Sequence, residues 1–376
     1  MQYRKDKKGN QLSILGYGCM RFTKNGSSID LEKAEQELMY GISHGINYLD
    51  TAYVYPGNEE AVGKILAKNH CREEINLATK LPHYLIRTRA GAEKKFQEEL
   101  QRLQTDYIDY YLMHMLNDCR TWEKLVQIGI RDWIEEKKKS GVIRNIGFSY
   151  HGNSENFRAL LDAYDWDFCQ IQYNYINVDY QAGMEGLRYA AQKGLAVVIM
   201  EPLLGGRLAN LSDHVAEVFS KEKSPVEHAL DFLWDQPEVS LLLSGMSSRQ
   251  QVEDNLAYAD RSAVGCLKEE EKEAYRKAKE IYDSMSMVGC TGCAYCMPCP
   301  FGLNIPEIFK AYNLYGLHGL NPAKEAYEKL GVLADACRSC HHCEKECPQN
   351  LKISQVMKDV RALLGPPAEP DPKWMI

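Results

Sequence analysis

The 376-residue sequence has no run near the ~20 consecutive apolar residues that a bilayer-spanning helix needs; its best candidate, residues 194–206, is short and contains Glu201. No apolar segment follows the charged start Met1-Gln2-Tyr3-Arg4-Lys5-Asp6-Lys7-Lys8, so a secretory signal is not expected and a cytoplasmic location is. A basic surplus is missing as well. Lys and Arg number 45 against 52 Asp and Glu, a net charge of −7, which argues against a nucleic-acid or anionic-membrane partner. The glycine fingerprint of an open dinucleotide-binding sheet is also absent, because Gly16-Tyr17-Gly18 lacks the third glycine and opens no helix. Cysteine is sparse through the first 285 residues, where Cys19, Cys71, Cys119, Cys169 and Cys266 stand far apart. The other eight of the 13 crowd between 290 and 347, and in a reducing compartment such crowding points to metal rather than disulfides.

What the first part does contain is alternation. Residues 2–15 look like a hairpin turning at Lys8-Gly9-Asn10. Eight short apolar runs follow, at 14–18, 46–50, 75–79, 107–113, 144–148, 168–172, 196–200 and 239–243. Amphipathic stretches separate them. Leu31, Ala34, Leu38 and Ile42 recur at helical spacing behind Asp30 as a cap, with Gly45 beyond the end. Further helical patterns cover 87–104, 121–139, 153–164, 180–193, 224–235 and 248–258. Strands that alternate with helices must run parallel, since each crossover needs a covering helix. Eight such units in about 260 residues predict an α/β fold, a (β/α)₈ TIM barrel, with a small C-terminal helical and loop iron–sulfur domain. The expected division is a barrel over 1–266, a linking helix over 267–285 and a cysteine domain over 286–376. A further helix is expected within 300–336, capped by Asn321, with Pro322 in its first turn and Gly331 past its end. The tail from Gly365-Pro366-Pro367 to Ile376 reads as irregular.

Reactive residues of such a barrel sit where its strands end. Those ends supply Asp50, Lys80 and His114, with Tyr55 shortly after Asp50. In Asp50-Thr51-Ala52-Tyr53-Val54-Tyr55, Ala78-Thr79-Lys80 and Tyr111-Leu112-Met113-His114 the chain resembles the aldo-keto reductase superfamily. The chemistry stands without the resemblance. Reducing a carbonyl takes a hydride at carbon and a proton for the developing alkoxide. A tyrosine, with an ordinary pKa near ~10, donates that proton when a neighbouring cation stabilises its phenolate. Lys80 would be that cation, Asp50 would hold it charged and in place, and His114 would polarise the substrate oxygen. Tyr53 competes for the proton-donor place, but only Tyr55 fits the motif spacing. Each of these residues alone is usually structural; the four together, in order and each at a strand end, are not.

The resemblance also implies where NADP(H) or NAD(H) binds. It points to Met20 and Arg21 after strand one and to Asp50. In Gly141-Val142-Ile143-Arg144-Asn145-Ile146-Gly147-Phe148-Ser149, Ser149 would hold the nicotinamide carboxamide together with Gln170. Tyr150 stands where the family usually has Asn. After strand seven, Met200-Glu201-Pro202-Leu203-Leu204-Gly205-Gly206 resembles the cradle for the pyrophosphate, with contacts at Met200, Pro202, Leu203 and Gly205. After strand eight, Gly245, Ser247, Arg249, Gln251 and Asn255 would take the adenosine end, at a helix start that favours anions. Relatives often carry Arg where this chain has Gln251, although Arg249 stands two residues earlier; the preference for NADP over NAD is therefore mild.

The cysteines form two runs, Cys290-x₂-Cys293-x₂-Cys296-x₂-Cys299-Pro300 and Cys337-x₂-Cys340-x₂-Cys343-x₃-Cys347-Pro348. The second matches the bacterial ferredoxin spacing, in which the fourth cysteine serves the other cluster; the first is one residue short before its last cysteine. Two [4Fe–4S] clusters are expected. Zinc is the alternative, but zinc sites usually pair two separated Cys-x₂-Cys knuckles rather than four cysteines in succession. His341 and His342 read as spacers. By geometry Cys290, Cys293 and Cys296 would share a cluster with Cys347, and Cys337, Cys340 and Cys343 would share the other with Cys299. The resulting expectation is an NAD(P)H-dependent oxidoreductase acting on a small carbonyl or alcohol substrate, its clusters structural or electron-carrying. The alternative is a nucleotide-binding electron-transfer or redox-sensing protein that acts through a redox partner protein.

Overall fold

The computed structural model describes residues 1–365; all of the expected tail beyond Gly365 lies outside the described residues. The chain forms two compact units. One comprises Met1–Leu203 with Ser220–Glu273, the other Leu204–Phe219 with the chain from Ala274 onward.

In the first unit eight parallel strands close a barrel: β1 (Leu15–Gly18), β2 (Tyr48–Asp50), β3 (Asn76–Leu81), β4 (Ile108–Met113), β5 (Ile143–Tyr150), β6 (Phe168–Gln172), β7 (Ala196–Met200) and β8 (Leu241–Ser244). Each pairs with its neighbours in sequence order, and β8 pairs with β1. Such strands are buried on both faces, which is why they read as continuous apolar runs rather than as alternation. Close approach is built in at Gly147, where a Cβ would overlap the Phe168 carbonyl oxygen and crowd its ring on the adjoining strand. The interior is filled by Tyr48, Tyr110, Phe168, Leu112, Val198, Leu241 and Leu243, so the barrel is a packed core rather than a pore. The hairpin of Tyr3–Lys5 and Gln11–Ser13 adds Leu12 to that core, and its Asp6 accepts a 2.6 Å hydrogen bond from the Tyr110 hydroxyl.

Helices cover the barrel, and their starts follow from side-chain caps. Asp30, Thr88, Asn153, Ser224 and Ser248 each accept from a backbone N–H two or three places into the helix they precede. Each such cap contributes about 1 kcal/mol. The helix Asn58–Lys68 has no counterpart among the sequence expectations, because its start at Gly57 (φ 71°) carries no capping side chain. The stretch expected as one helix over 121–139 is two, Cys119–Gln127 and Ile130–Lys139, broken at Gly129 (φ 83°).

The chain passes through the helix Glu269–Met285 into the second unit. Its helices Ile305–His318, Leu320–Glu328 and Ile353–Leu364 enclose a core that includes Ile308, Phe309, Ala323, Tyr327, Met357 and Val360. The expected cap at Asn321 is overturned. The helix starts at Leu320 behind Gly319, whose φ of 81° lets a new helix begin where the previous one stops, and Asn321 falls inside it. Pro322 is tolerated there because first-turn N–H groups have no helical partner to lose. Among the described residues no helix is long and apolar enough to cross a membrane.

Candidate functional site

Barrel register brings three of the four proposed catalytic residues to one end. Asp50 closes β2 opposite Ala78 of β3, Lys80 lies two residues further along β3 beside Leu112 of β4, and His114 follows the last residue of β4. The Lys80 ammonium donates to both Asp50 carboxylate oxygens and to the Thr51 carbonyl, all at 2.7 Å. Both side chains are sealed from solvent, Lys80 at 1 % exposure and Asp50 at 6 %. Burial pushes the Asp50 carboxyl up, and the Lys80 ammonium against it pulls back. A buried charge of this kind persists only when paired and hydrogen-bonded.

Tyr55 completes the group. The Lys80 nitrogen lies 5.2 Å from the centre of its ring, and the ring meets His114 edge-on with centroids 6.2 Å apart. Tyr53 points elsewhere. Its hydroxyl donates to Glu98 at 2.7 Å, and its ring lies under the cations of Lys95 and Arg102, so it belongs to the helix Arg89–Leu103. His114 is buried, and burial holds its imidazole well below the usual range, helped by the charges of Lys80, His151 and His83. It is therefore neutral at neutral pH and acts as a hydrogen-bond partner, not a proton source.

His83, His151 and Tyr84 surround this group without having been singled out from the sequence. Tyr84 comes within 6.3 Å of His114, and burial lowers both other imidazoles, His151 to about 4. Their one sequence signal is position: each stands two to four residues beyond a group expected at the site, Lys80 or Ser149.

The residues expected to hold nucleotide divide by their surroundings. Ser149 and Gln170 are register partners on β5 and β6. The Ser149 hydroxyl accepts from the Met115 N–H at 2.9 Å and keeps its own proton to donate. Gln170 reaches the Met200 sulfur through Nε2 at 3.7 Å, while its buried Oε1 has no hydrogen-bond partner among the described residues. An orphaned buried acceptor is costly, and a carboxamide N–H would satisfy it. Pro202 is buried, while Met20 and Arg21 are exposed and Leu203 is half-buried. Arg21 lies along Gly245, whose missing Cβ leaves it room. Gln251 turns back to accept from the Ser247 N–H at 2.8 Å. Asn255 is buried and donates to the Ser244 hydroxyl at 2.8 Å. Arg249 pairs with Glu253 at 2.7 Å and stacks on Tyr40. Gly205 and Gly206 take φ of 67° and 95°, a backbone closed to most side chains.

In the second unit the eight clustered cysteines line two hollows. Cys290, Cys293, Cys296 and Cys347 line one, among Ile305, Phe309 and Leu351. Cys299, Cys337, Cys340 and Cys343 line the other, beside Phe301, Leu303 and Met357. Burial, and then the neighbouring thiols of the same set, push Cys296 up to about 12. Four thiols on an otherwise largely apolar hollow are the donor set of a four-iron cluster. His341 also lines the second hollow, but its Nδ1 faces Glu344 Oε2 at 2.9 Å.

Known proteins share both parts. The pattern of the Aldo/keto reductase family matches residues 14–269, and that of a 4Fe-4S dicluster domain matches residues 289–351. An uncharacterized oxidoreductase of Bacillus subtilis, YrpG, is 28 % identical over 221 residues, 53 % of this chain and 65 % of its own length. Among solved structures, the aldo-keto reductase AKR11C1 of Bacillus halodurans is 27 % identical with a TM-score of 0.62, covering 74 % of this chain and 96 % of its own. An aldo-keto reductase from Klebsiella pneumoniae, solved in complex with NADPH, shares the fold at 24 % identity and a TM-score of 0.60, over 74 % of this chain and 96 % of its own. The chain belongs to the aldo/keto reductase family, as an NAD(P)-dependent oxidoreductase whose barrel is followed in sequence by a 4Fe-4S domain.

Proposed function

We propose that the protein reduces the carbonyl of a small aldehyde or ketone with NADP(H), or oxidises the matching alcohol, and that it carries two [4Fe–4S] clusters. The observation behind the first part is Tyr55 flanked by the buried Lys80–Asp50 pair and the neutral His114. Bound nicotinamide would supply hydride to the carbonyl carbon. Tyr55 gives its phenolic proton to the oxygen as charge develops there. Lys80 has committed its three N–H groups to Asp50 and Thr51, so it stabilises the phenolate through its charge rather than by a direct bond. Asp50 keeps that ammonium in place, and His114, unable to release a proton at neutral pH, positions and polarises the substrate oxygen.

The carboxamide would bridge Ser149 and Gln170, whose open acceptor fits it. The loop through Pro202, Leu203 and Gly205 would take the pyrophosphate, and the start of the helix Arg249–Arg261, near Gly245, Ser247, Arg249, Gln251 and Asn255, the adenosine end. For the clusters, the two cysteine sets that line separate hollows support the crossed wiring of Cys347 with the first run and Cys299 with the second.

The test is Tyr55→Phe in anaerobically purified protein, assayed against a panel of aldehydes and ketones. Turnover should fall roughly 10²–10⁴-fold, the usual value of a general acid, with NADPH affinity little changed. Tyr53→Phe should stay near wild type. The reverse pattern would refute the assignment.

A further inference from the structure

Tyr55 is carried by a loop. Between Asp50 and Asn58 the chain forms neither strand nor helix, so the place of the phenol depends on what fixes residues 51–57. The ends of the loop are tied to each other and to the barrel. The Thr51 hydroxyl donates to the Asn58 Oδ1 at 3.0 Å, and the Asn58 amide donates to the Cys19 carbonyl at 2.9 Å. Two backbone bonds shape the middle, from the Tyr55 N–H to the Ala52 carbonyl at 3.0 Å and from the Asn58 N–H to the Tyr55 carbonyl at 3.1 Å.

A further tie comes from Arg102, in the last turn of the helix Arg89–Leu103. Its Nη1 donates to the Tyr53 carbonyl at 3.4 Å and to the Glu59 Oε2 at 3.1 Å, and its Nε pairs with Glu60 at 3.4 Å. One guanidinium therefore grips the chain two residues before Tyr55 and four residues after it. The same group lies 4.3 Å from the centre of the Tyr53 ring, and the Lys95 ammonium lies 4.6 Å from it, both cation–π distances. Glu98 completes the hold on that ring, accepting from the Tyr53 hydroxyl at 2.7 Å and pairing with Lys95 at 2.9 Å. On the other side Glu59 is buried, and its Oε1 accepts from the Thr79 hydroxyl at 2.6 Å. Thr79 is the residue before Lys80 on β3. The chain of contacts thus refers the Tyr55 loop to the strand that carries its cation.

We propose that Arg102 is a positioning residue for the proton donor: by bonding the Tyr53 carbonyl and Glu59 at once, it fixes the loop that sets Tyr55 beside Lys80 and His114. This rests on the reading of Tyr55 as that donor. Proton transfer needs heavy atoms within hydrogen-bond reach, and a misplacement of about 1 Å can cost roughly 10²-fold in rate. Arg102 touches none of the reacting groups named above, so its loss belongs to the chemical step rather than to nucleotide binding. Lysine is a poor substitute. Its compact ammonium can neutralise Glu59, but it lacks the planar fork that reaches a carbonyl and two carboxylates together.

The experiment measures single-turnover hydride transfer from NADPH in anaerobically purified full-length protein. Its probe is 4-nitrobenzaldehyde, or any member of the aldehyde and ketone panel that wild type reduces faster. Wild type, Arg102→Ala, Arg102→Lys and Tyr55→Phe are compared, with both Arg102 substitutions repeated in the Tyr55→Phe background; NADPH affinity and melting temperature are followed alongside. Arg102→Ala should slow transfer by at least about tenfold with NADPH affinity little changed. Arg102→Lys should fall between the two, with a melting temperature near that of wild type. In the Tyr55→Phe background neither substitution should cost anything further, because the group whose position Arg102 serves is already gone. If Arg102→Ala does not fold, Arg102→Lys carries the same comparison. An undiminished rate in the folded Arg102 variants would overturn the proposal. So would a loss of the same factor with and without the Tyr55 hydroxyl, since Arg102 would then support the fold at large. Tyr55→Phe at the wild-type rate would instead remove the proton-donor reading, and the proposal with it, in an arm where Arg102 is intact.

Discussion

Glu99 is buried completely on the helix Arg89–Leu103, where the Tyr111 hydroxyl donates to one of its oxygens at 2.6 Å and the other has no partner among the described residues. Nearby Glu59 is provided for: Thr79 donates to it at 2.6 Å and Arg102 pairs with it at 3.1 Å. Burial, and then the charge of Glu59, hold the Glu99 carboxyl well above its ordinary range. The sign of the pH effect follows. An unfolded glutamate ionises near pH ~4.3, while the folded one stays protonated above that. Between those two values the folded state binds more protons, so this residue's contribution to stability falls as pH rises, at up to about 1.4 kcal/mol per unit. Glu99→Gln keeps an acceptor for Tyr111 and removes that slope. The melting temperature of the variant relative to wild type should therefore climb from pH 5 to pH 8; a flat or falling difference would show that Glu99 is ionised in the fold. Glu99 could not be singled out in the sequence, because nothing there tells a buried glutamate on an amphipathic helix from an exposed one. Asp50, Tyr55, Lys80 and His114 could be, because strand ends and motif spacing mark them, and the two arrangements in which Tyr53 and Tyr55 differ are separated by their neighbours in space.

At the scale of elements, the barrel strands were legible because burial on both faces leaves unbroken apolar runs, and the helices were legible where a cap announced them. A barrel helix that no expectation covered, Asn58–Lys68, lacks a side-chain cap and carries Gly63 at its centre. That glycine has a steric reason. A Cβ there would overlap the Arg102 carbonyl oxygen and lie 2.6 Å from the Leu103 carbonyl carbon, so the helix can approach the end of Arg89–Leu103 only without one. In an exposed helix, Gly→Ala gains up to about 1 kcal/mol of helix propensity. Here the collision is with backbone, which cannot rotate away, and overpacking of this kind costs roughly 1–3 kcal/mol. Gly63→Ala should therefore lower the melting temperature of the protein, opposite to what propensity alone gives; an unchanged or higher value would mean that the two helices separate at no cost. The break at Gly129 and the helix start at Gly319 belong to the same class. In both, a positive φ decides where a helix begins, and no capping side chain announces it in the sequence.

At the scale of the molecule, the least legible feature is membership of Leu204–Phe219 in the second unit, since contacts between residues some 80 positions apart leave no periodicity to read. The cysteine spacing, by contrast, is local; in space Cys347 lines the hollow of the first run, and Cys299 that of the second. This crossing bears on stability. The core of the second unit rests on a small set of side chains from the helices Ile305–His318, Leu320–Glu328 and Ile353–Leu364. A core of that size supplies little on its own, and small domains of this kind depend on metal or cross-links. Each cluster would bind one cysteine run to a cysteine of the other, so it closes the chain across those helices. Iron removal should then unfold the unit cooperatively and leave the barrel standing, seen as a partial loss of far-ultraviolet helical signal with barrel tryptophan fluorescence retained. Anaerobic protein should carry about eight irons and eight sulfides per chain, the content of two four-iron clusters. Cys299→Ser should perturb the cluster of Cys337, Cys340 and Cys343 and spare the other, which spectra of the two reduced clusters can separate. Zinc in place of iron, or about four irons per chain, would end the two-cluster reading. If Cys299→Ser instead disturbs the cluster of Cys290, Cys293 and Cys296, the crossing is wrong, and each run closes on its own iron.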